Sequence, residues 1–307
     1  MKKSSFIKIL TVLALGAIMI SITACKSAPL AVEVNPLDIL DSESSFYMAI
    51  PRKADPELIK RVVQNNIDGL SDSNAQLLTD RINKVYCGLN RTRKSTTIQA
   101  TIDASIPQKY VSKVLNKKNG FSQSVFSPEK SSNTYDVYSQ DGLDLAAPSG
   151  KVLCLGRDIN TLLTNYDTIY TTAEPNYTGT EYSPLEPELY NYLYEADSEI
   201  RFFANKPQSF LTILTGTNLD LKLINVSGSF ICDTKHNDQY LLNLHFNFKN
   251  EKFLKAGKVL LTLAFGLTDS QSYIEEHQML SLTNAVFTII IAFETILLSL
   301  ISKVKLN

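Results

Sequence analysis

The chain has no tryptophan and only three histidines in 307 residues. His236, His245 and His277 have no metal-ligand neighbours at helical spacing, so no zinc site is indicated. There is no Gly-x-Ser-x-Gly elbow to carry an esterase nucleophile. Lys255–Lys258, Lys-Ala-Gly-Lys, lacks the earlier glycine and the Ser/Thr of a phosphate loop. Gly257 reads instead as a close packing point on a helix. The segment Asp233–Asp238 lacks the glycine and distal glutamate of a calcium loop, and its Asp and Asn residues suit a hairpin turn. Neither charge dominates: 30 Lys and Arg oppose 31 Asp and Glu, a net −1, which argues against a nucleic-acid partner. A hydrolase would need a cleft gathering acids such as Asp103, Asp136 or Asp141, and their spacing predicts none. The residues therefore point to a protein without catalytic motif, metal or cofactor.

The N-terminus does carry a signal. Lys2, Lys3 and Lys8 form a positive region, Ile9–Ile20 an apolar one, and Ile22–Cys25 reads Ile-Thr-Ala-Cys. The apolar run is shorter than the roughly 20 residues that span a bilayer, and the pattern is that of an export signal. Ile-Thr-Ala-Cys resembles the lipobox of bacterial lipoproteins, with Ile22 where leucine is usual. The resemblance implies a signal peptide over 1–24, cleavage before Cys25, and diacylglycerol and acyl chains on Cys25. Two or three such chains hold a protein on a membrane without a spanning helix. The lipobox and a Lys-, Asn- and Ser-rich composition are similar to those of uncharacterised lipoproteins of spirochaete-like bacteria. That likeness implies a place on the exported side of the cell membrane or outer membrane, and no activity. Loss of residues 1–24 removes three lysines and no acid, taking the net charge from −1 to −4.

Three further cysteines, Cys87, Cys154 and Cys232, are an odd number. They read either as small buried residues on strands or as one internal disulfide, Cys87 with Cys232, plus a thiol. Arg91, Arg93 and Lys94 form a basic cluster at a predicted hairpin tip. It is either a solvated turn or a contact for anionic headgroups or a cell-wall polymer.

The chain resembles itself. Asp41–Pro51 and Asp197–Pro207 share Asp-Ser-Glu, an aromatic pair and a final proline without a gap. Lys84–Asn90 matches Ser229–Lys235, bringing Cys87 onto Cys232. Ser95–Asp103 follows Tyr240–Phe248, Pro107–Leu115 follows Asn250–Leu260, and Leu145–Tyr166 follows Met279–Leu300. The order is the same in both halves, as a duplication requires. The expected fold is α+β: two tandem repeats, 35–170 and 185–307, each a mostly antiparallel sheet with helices on one face. Residues 25–34 read as a tether and 171–184 as a linker.

Within the first half, Asp55 caps a helix opened by Pro56, with Leu58, Ile59, Val62 and Val63 on one side. A short helix is expected near Ser73–Ile82, a hairpin over Val85–Leu89 and Thr96–Ile102, and a helix over Pro107–Asn116. In the second half Leu242, Leu244, Phe246 and Phe248 alternate with Asn243, His245 and Asn247, the mark of a strand with one solvated face.

The most apolar stretch, residues 284–302, raises the question of a second membrane anchor. Phe293, Ile296, Leu297, Leu300, Ile301 and Val304 recur with helical spacing on one side, and Glu294 would lie within any span, where an acid costs about 2.5 to 3.5 kcal/mol. The expectation is a buried strand over Val286–Ile291 followed by an amphipathic helix. Val152–Gly156 and this last strand are apolar without alternation, as strands covered on both faces are. The cover is either the sister half or a ligand. Two functions follow: a non-enzymatic envelope binding or interaction module, or a carrier holding an apolar ligand between the repeats.

Overall fold

The computed structural model describes residues 32–67, 70–91, 96–129, 131–208, 210–211, 220–232, 240–265, 272–275 and 279–287. Residues 34–173 and 177–287 form one unit; the other contributes only 32–33 and 174–176 to the described set. Among the described residues twelve strands build a single sheet in which every neighbouring pair is antiparallel. They are β1 (Phe46–Pro51), β2 (Ile82–Arg91), β3 (Thr96–Ala104), β4 (Ser122–Phe126), β5 (Tyr135–Gln140), β6 (Leu143–Ala146), β7 (Val152–Gly156), β8 (Ile200–Ala204), β9 (Leu223–Cys232), β10 (Tyr240–Phe248), β11 (Ser272–Glu275) and β12 (Met279–Phe287). Their order across the sheet is β11-β12-β10-β9-β8-β1-β2-β3-β7-β6-β5-β4. The α+β class and the antiparallel pairing are those expected.

The two halves do not hold separate sheets. β1 lies beside β8, with Tyr47 opposite Phe203, so backbone hydrogen bonds run unbroken from one half into the other. Outward from this pair the order is β2, β3, β7 on one side and β9, β10, β12 on the other. The gapless match of Asp41–Pro51 to Asp197–Pro207 lays Tyr47 on Phe203, the very residue it faces. The same match lays Met48 on Ala204. Cys87 pairs with Met48 and Val226 with Ala204, so the counterpart of Cys87 by pairing is Val226 and not Cys232.

Among the described residues the helices include α1 (Pro56–Asn66), α2 (Asp72–Thr79), α3 (Gln108–Val114), α4 (Asn160–Thr172), α5 (Pro187–Tyr194) and α6 (Glu251–Phe265). The Asp55 carboxylate accepts from the Leu58 amide at 2.8 Å, so α1 is capped as its sequence requires. Asp158, one residue before the N-cap Ile159 of α4, accepts from the Asn160 amide at 2.9 Å. The second helix is shorter than expected: Ser71 caps it and it ends at Thr79, because Ile82 already belongs to β2. Helices cover both faces at the sheet centre. Met48, Ile50 and Phe202 share a core with Leu58 and Ile59 of α1 and Leu254 and Leu261 of α6. Tyr47 and Ala49, pointing the other way, pack on Leu189 and Leu193 of α5, on Leu37 of a 3-10 turn, Pro36–Ile39, and on Leu40 just after it. At β1 the second cover is thus this turn together with α5, a helix of the second half.

The turn is fastened from several sides. The Thr101 hydroxyl donates to the Pro36 carbonyl at 2.7 Å, and the Asn165 amide donates to the Ile39 carbonyl at 3.2 Å. Tyr177, inside the expected linker, donates to Asp38 at 2.6 Å and accepts from the Asn35 amide at 3.0 Å. α4 itself runs to Thr172, so part of the expected linker is helix.

In the second half, Leu242, Leu244, Phe246 and Phe248 are all buried and His245 is half-buried, which matches the alternation. A β-carbon on Gly257 would fall 2.2 Å from the Phe248 ring, which makes it the packing point its position suggested. The apolar strand near the C-terminus starts earlier than expected, at Met279, and is paired to β10. Residues 288–307, including the expected last helix, lie outside the described residues. Among those described, no helix is long and apolar enough to cross a membrane.

Candidate functional site

The first half is not packed solid. Between the sheet and helices α1, α2 and α3 lies a cavity of about 220 Å³. This exceeds the roughly 150 Å³ of an apolar cavity that stays dry and admits benzene.

Its origin is local. The floor is the sheet face formed by β2, β3, β6 and β7, with Val85, Ile98, Ile102, Leu153 and Leu155 pointing upward. In the middle of that floor Cys87 stands opposite Ala100, two of the shortest side chains available. The roof is built from helix stripes: Leu58, Ile59, Val62 and Val63 of α1, Leu78 of α2, and Tyr110, Val111 and Val114 of α3. Their spacings of three and four residues set each stripe on one side of its helix. Protein interiors normally reach crystal-like density, so a void over the Cys87–Ala100 pair is a departure that costs dispersion contacts.

The chemistry of the wall is uniform. Every lining residue is apolar except Cys87 and Tyr110. Burial pushes the Cys87 thiol up to about 12, so it is neutral and not a nucleophile. Nothing inside could satisfy a charged or strongly hydrogen-bonding group, and such a group would be penalised there. What the cavity can accept is hydrocarbon.

Tyr110 locates the rim. It lines the cavity and is yet 44 % exposed, unlike Val111 at 8 % beside it. Lys109 and Lys113 place their ammonium nitrogens 5.2 and 5.4 Å from its ring centroid, within cation–π range. The chain then turns at Gly120, whose φ of 85° is a left-handed conformation suited to glycine, and enters β4.

The cavity is not where an apolar ligand was expected. Between the halves the space is closed by β1–β8 pairing and by a stack of rings. Phe46 lies 5.8 Å from Phe202, which lies 4.9 Å from Phe210 and 5.1 Å from Phe230. The void sits in the first half alone.

The other residues singled out by sequence are scattered. Cys87, Cys154 and Cys232 are all thiols. A Cys87–Cys232 disulfide is ruled out by the sheet order, since β1 and β8 separate β2 from β9. Three strand spacings are about 14 Å, and a disulfide needs Cα atoms within about 7 Å. Arg91 ends β2, while Arg93 and Lys94 lie outside the described residues, as do His236, His277 and the loop Asp233–Asp238. Asp136 is bonded to Gln123 and Asp103 to Asn83, while Asp141 sits in the β5–β6 turn. No group of three or more metal-ligating side chains is present among the described residues. Sequence reasoning missed the rim on α3. The available signal was Lys109 and Lys113 flanking Tyr110 on a helix with no acid.

A family model described as outer membrane-associated lipoprotein TP0453, a spirochaete protein, matches residues 31–289. Crystal form I of TP0453 is similar in structure, with a TM-score of 0.62 and 16% identity over 89% of this chain and 98% of that one. Crystal form III gives a TM-score of 0.59 and 15% identity over 88% and 99%. At these identities the structures share a fold. No curated protein sequence matches.

Proposed function

Since the chain belongs to the family of the outer membrane-associated lipoprotein TP0453, we propose that it is a non-enzymatic envelope lipoprotein that holds an apolar ligand in its first half. The observation that carries the binding reading is the cavity over Cys87 and Ala100, about 220 Å³ without a polar wall. A protein with no use for such a void would gain stability by filling it. The attachment is proposed through acyl chains on Cys25, supported by the Ile-Thr-Ala-Cys sequence and by the family's membrane association.

Both parts are open to experiment. Cells fed radiolabelled palmitate should label the wild-type chain and not a Cys25→Ser chain; equal labelling overturns the attachment. For binding, the chain from residue 25 carrying Cys25→Ser is titrated with the neutral dye Nile red. Saturable uptake of one dye per chain, competed by a medium-chain alcohol, is the expected result. Absence of saturable uptake removes the carrier reading.

We propose also that the two halves descend from one duplicated unit. The matching sequence order and the symmetric strand order about the β1–β8 pair support it.

A further inference from the structure

A ligand buried in the cavity must leave any polar group outside, because the wall offers it no partner. The character of the rim therefore decides which amphiphile fits. Tyr110 joins the inside to the surface, and the Lys109 and Lys113 ammoniums flank it at 5.2 and 5.4 Å. These lysines are four residues apart on α3, so they project from neighbouring turns of one side. No salt bridge engages either among the described residues. From Ala104 to Phe121 the chain contains Lys109, Lys113, Lys117 and Lys118 and no acid, whereas the whole chain carries a net −1.

We propose that the cavity takes the tail of a single-chain amphiphile whose head is an anion, and that Lys109 and Lys113 hold that head at the rim. The proposal rests on the carrier reading and adds the ligand's charge and two specificity residues. An anion at the rim relieves the repulsion between two neighbouring ammoniums and gains charge-assisted hydrogen bonds. An uncharged head gains neither. A carboxylate and a phosphate monoester share this chemistry.

The test uses the Cys25→Ser chain from residue 25 with Nile red in place, at low salt. Decanoate, decyl phosphate and 1-decanol are compared as competitors, on the wild type and on the Lys109→Gln/Lys113→Gln double variant. The two anions should displace the dye at concentrations about tenfold or more below 1-decanol, a factor worth about 1.4 kcal/mol. In the double variant that advantage should shrink to about twofold, with 1-decanol unchanged as the control for an intact cavity. The order of decanoate and decyl phosphate identifies which anion the rim prefers. Equal competition by alcohol and anions overturns the proposal while leaving the carrier reading standing. So does an anion advantage that survives the double substitution. If the dye binds and no amphiphile displaces it, the carrier reading falls and this proposal with it.

Discussion

The Tyr177 hydroxyl donates to the Asp38 carboxylate at 2.6 Å across 139 residues of sequence, and Asp38 has no exposed surface. Burial raises the Asp38 pKa from 3.8 to about 6, against the opposing pull of hydrogen bonds from Tyr177 and Tyr190. The native state thus binds this proton more tightly than the unfolded chain does. The stabilisation is complete below pH 3.8 and is lost as pH rises through about 6, on the order of 3 kcal/mol in all. Urea midpoints measured from pH 4 to 7.5 should fall along this window, and Asp38→Asn should flatten that part of the profile. An Asp38→Asn profile as steep as the wild type would exclude Asp38 as the source. Tyr177→Phe should cost about 1 to 3 kcal/mol at any pH, because it strands a buried acceptor.

The cavity predicts a substitution that stabilises while it disables. Ala100→Leu directs extra methyl groups into the void over Cys87. Cavity filling commonly adds about 0.5 to 2 kcal/mol, so the melting temperature should rise while Nile red uptake falls several-fold. A destabilised variant with unchanged dye binding would mean that the void is not where the dye goes.

Gly257 gives a sign test of packing. In an exposed helix, Gly→Ala stabilises by about 1 kcal/mol. Here the new methyl would meet the Phe248 ring at 2.2 Å, so Gly257→Ala should instead destabilise by about 1 to 3 kcal/mol. Chemical denaturation of the two chains decides the sign.

The thiols should be slow to react. Cys87 and Cys154 are buried and burial raises both pKa values. Ellman's reagent should leave both unmodified in the native chain and reach them in denaturant. Non-reducing electrophoresis should show no internal crosslink. Fast native modification of two or more thiols would mean that the first half opens readily.

Much of the architecture could be read from residues. Asp55 and Pro56 announced α1, and the alternation from Leu242 to Phe248 announced β10, because both signals are local. The merging of two sheets into one was not legible. It depends on β1 meeting β8 across some 150 residues, and edge backbone groups carry no side-chain code for their partner. The match of Cys87 to Cys232 failed for a related reason: similar short strands can be slid by several residues without an obvious loss of likeness. The cavity was foreseen as an idea but misplaced. Its cause is the cross-strand juxtaposition of Cys87 with Ala100, which only register reveals. Asp38 was passed over because its partner, Tyr177, lay in a stretch without periodicity.

An empty space inside a fold also has a mechanical side. Unfolding abolishes internal voids, so hydrostatic pressure favours the unfolded chain in proportion to the volume eliminated. The half of the sheet over Cys87 and Ala100 should therefore be the compressible half, yielding first in a pressure cell. A hydrocarbon tail lodged there would stiffen it, so that the loaded protein withstands compression that the empty one does not.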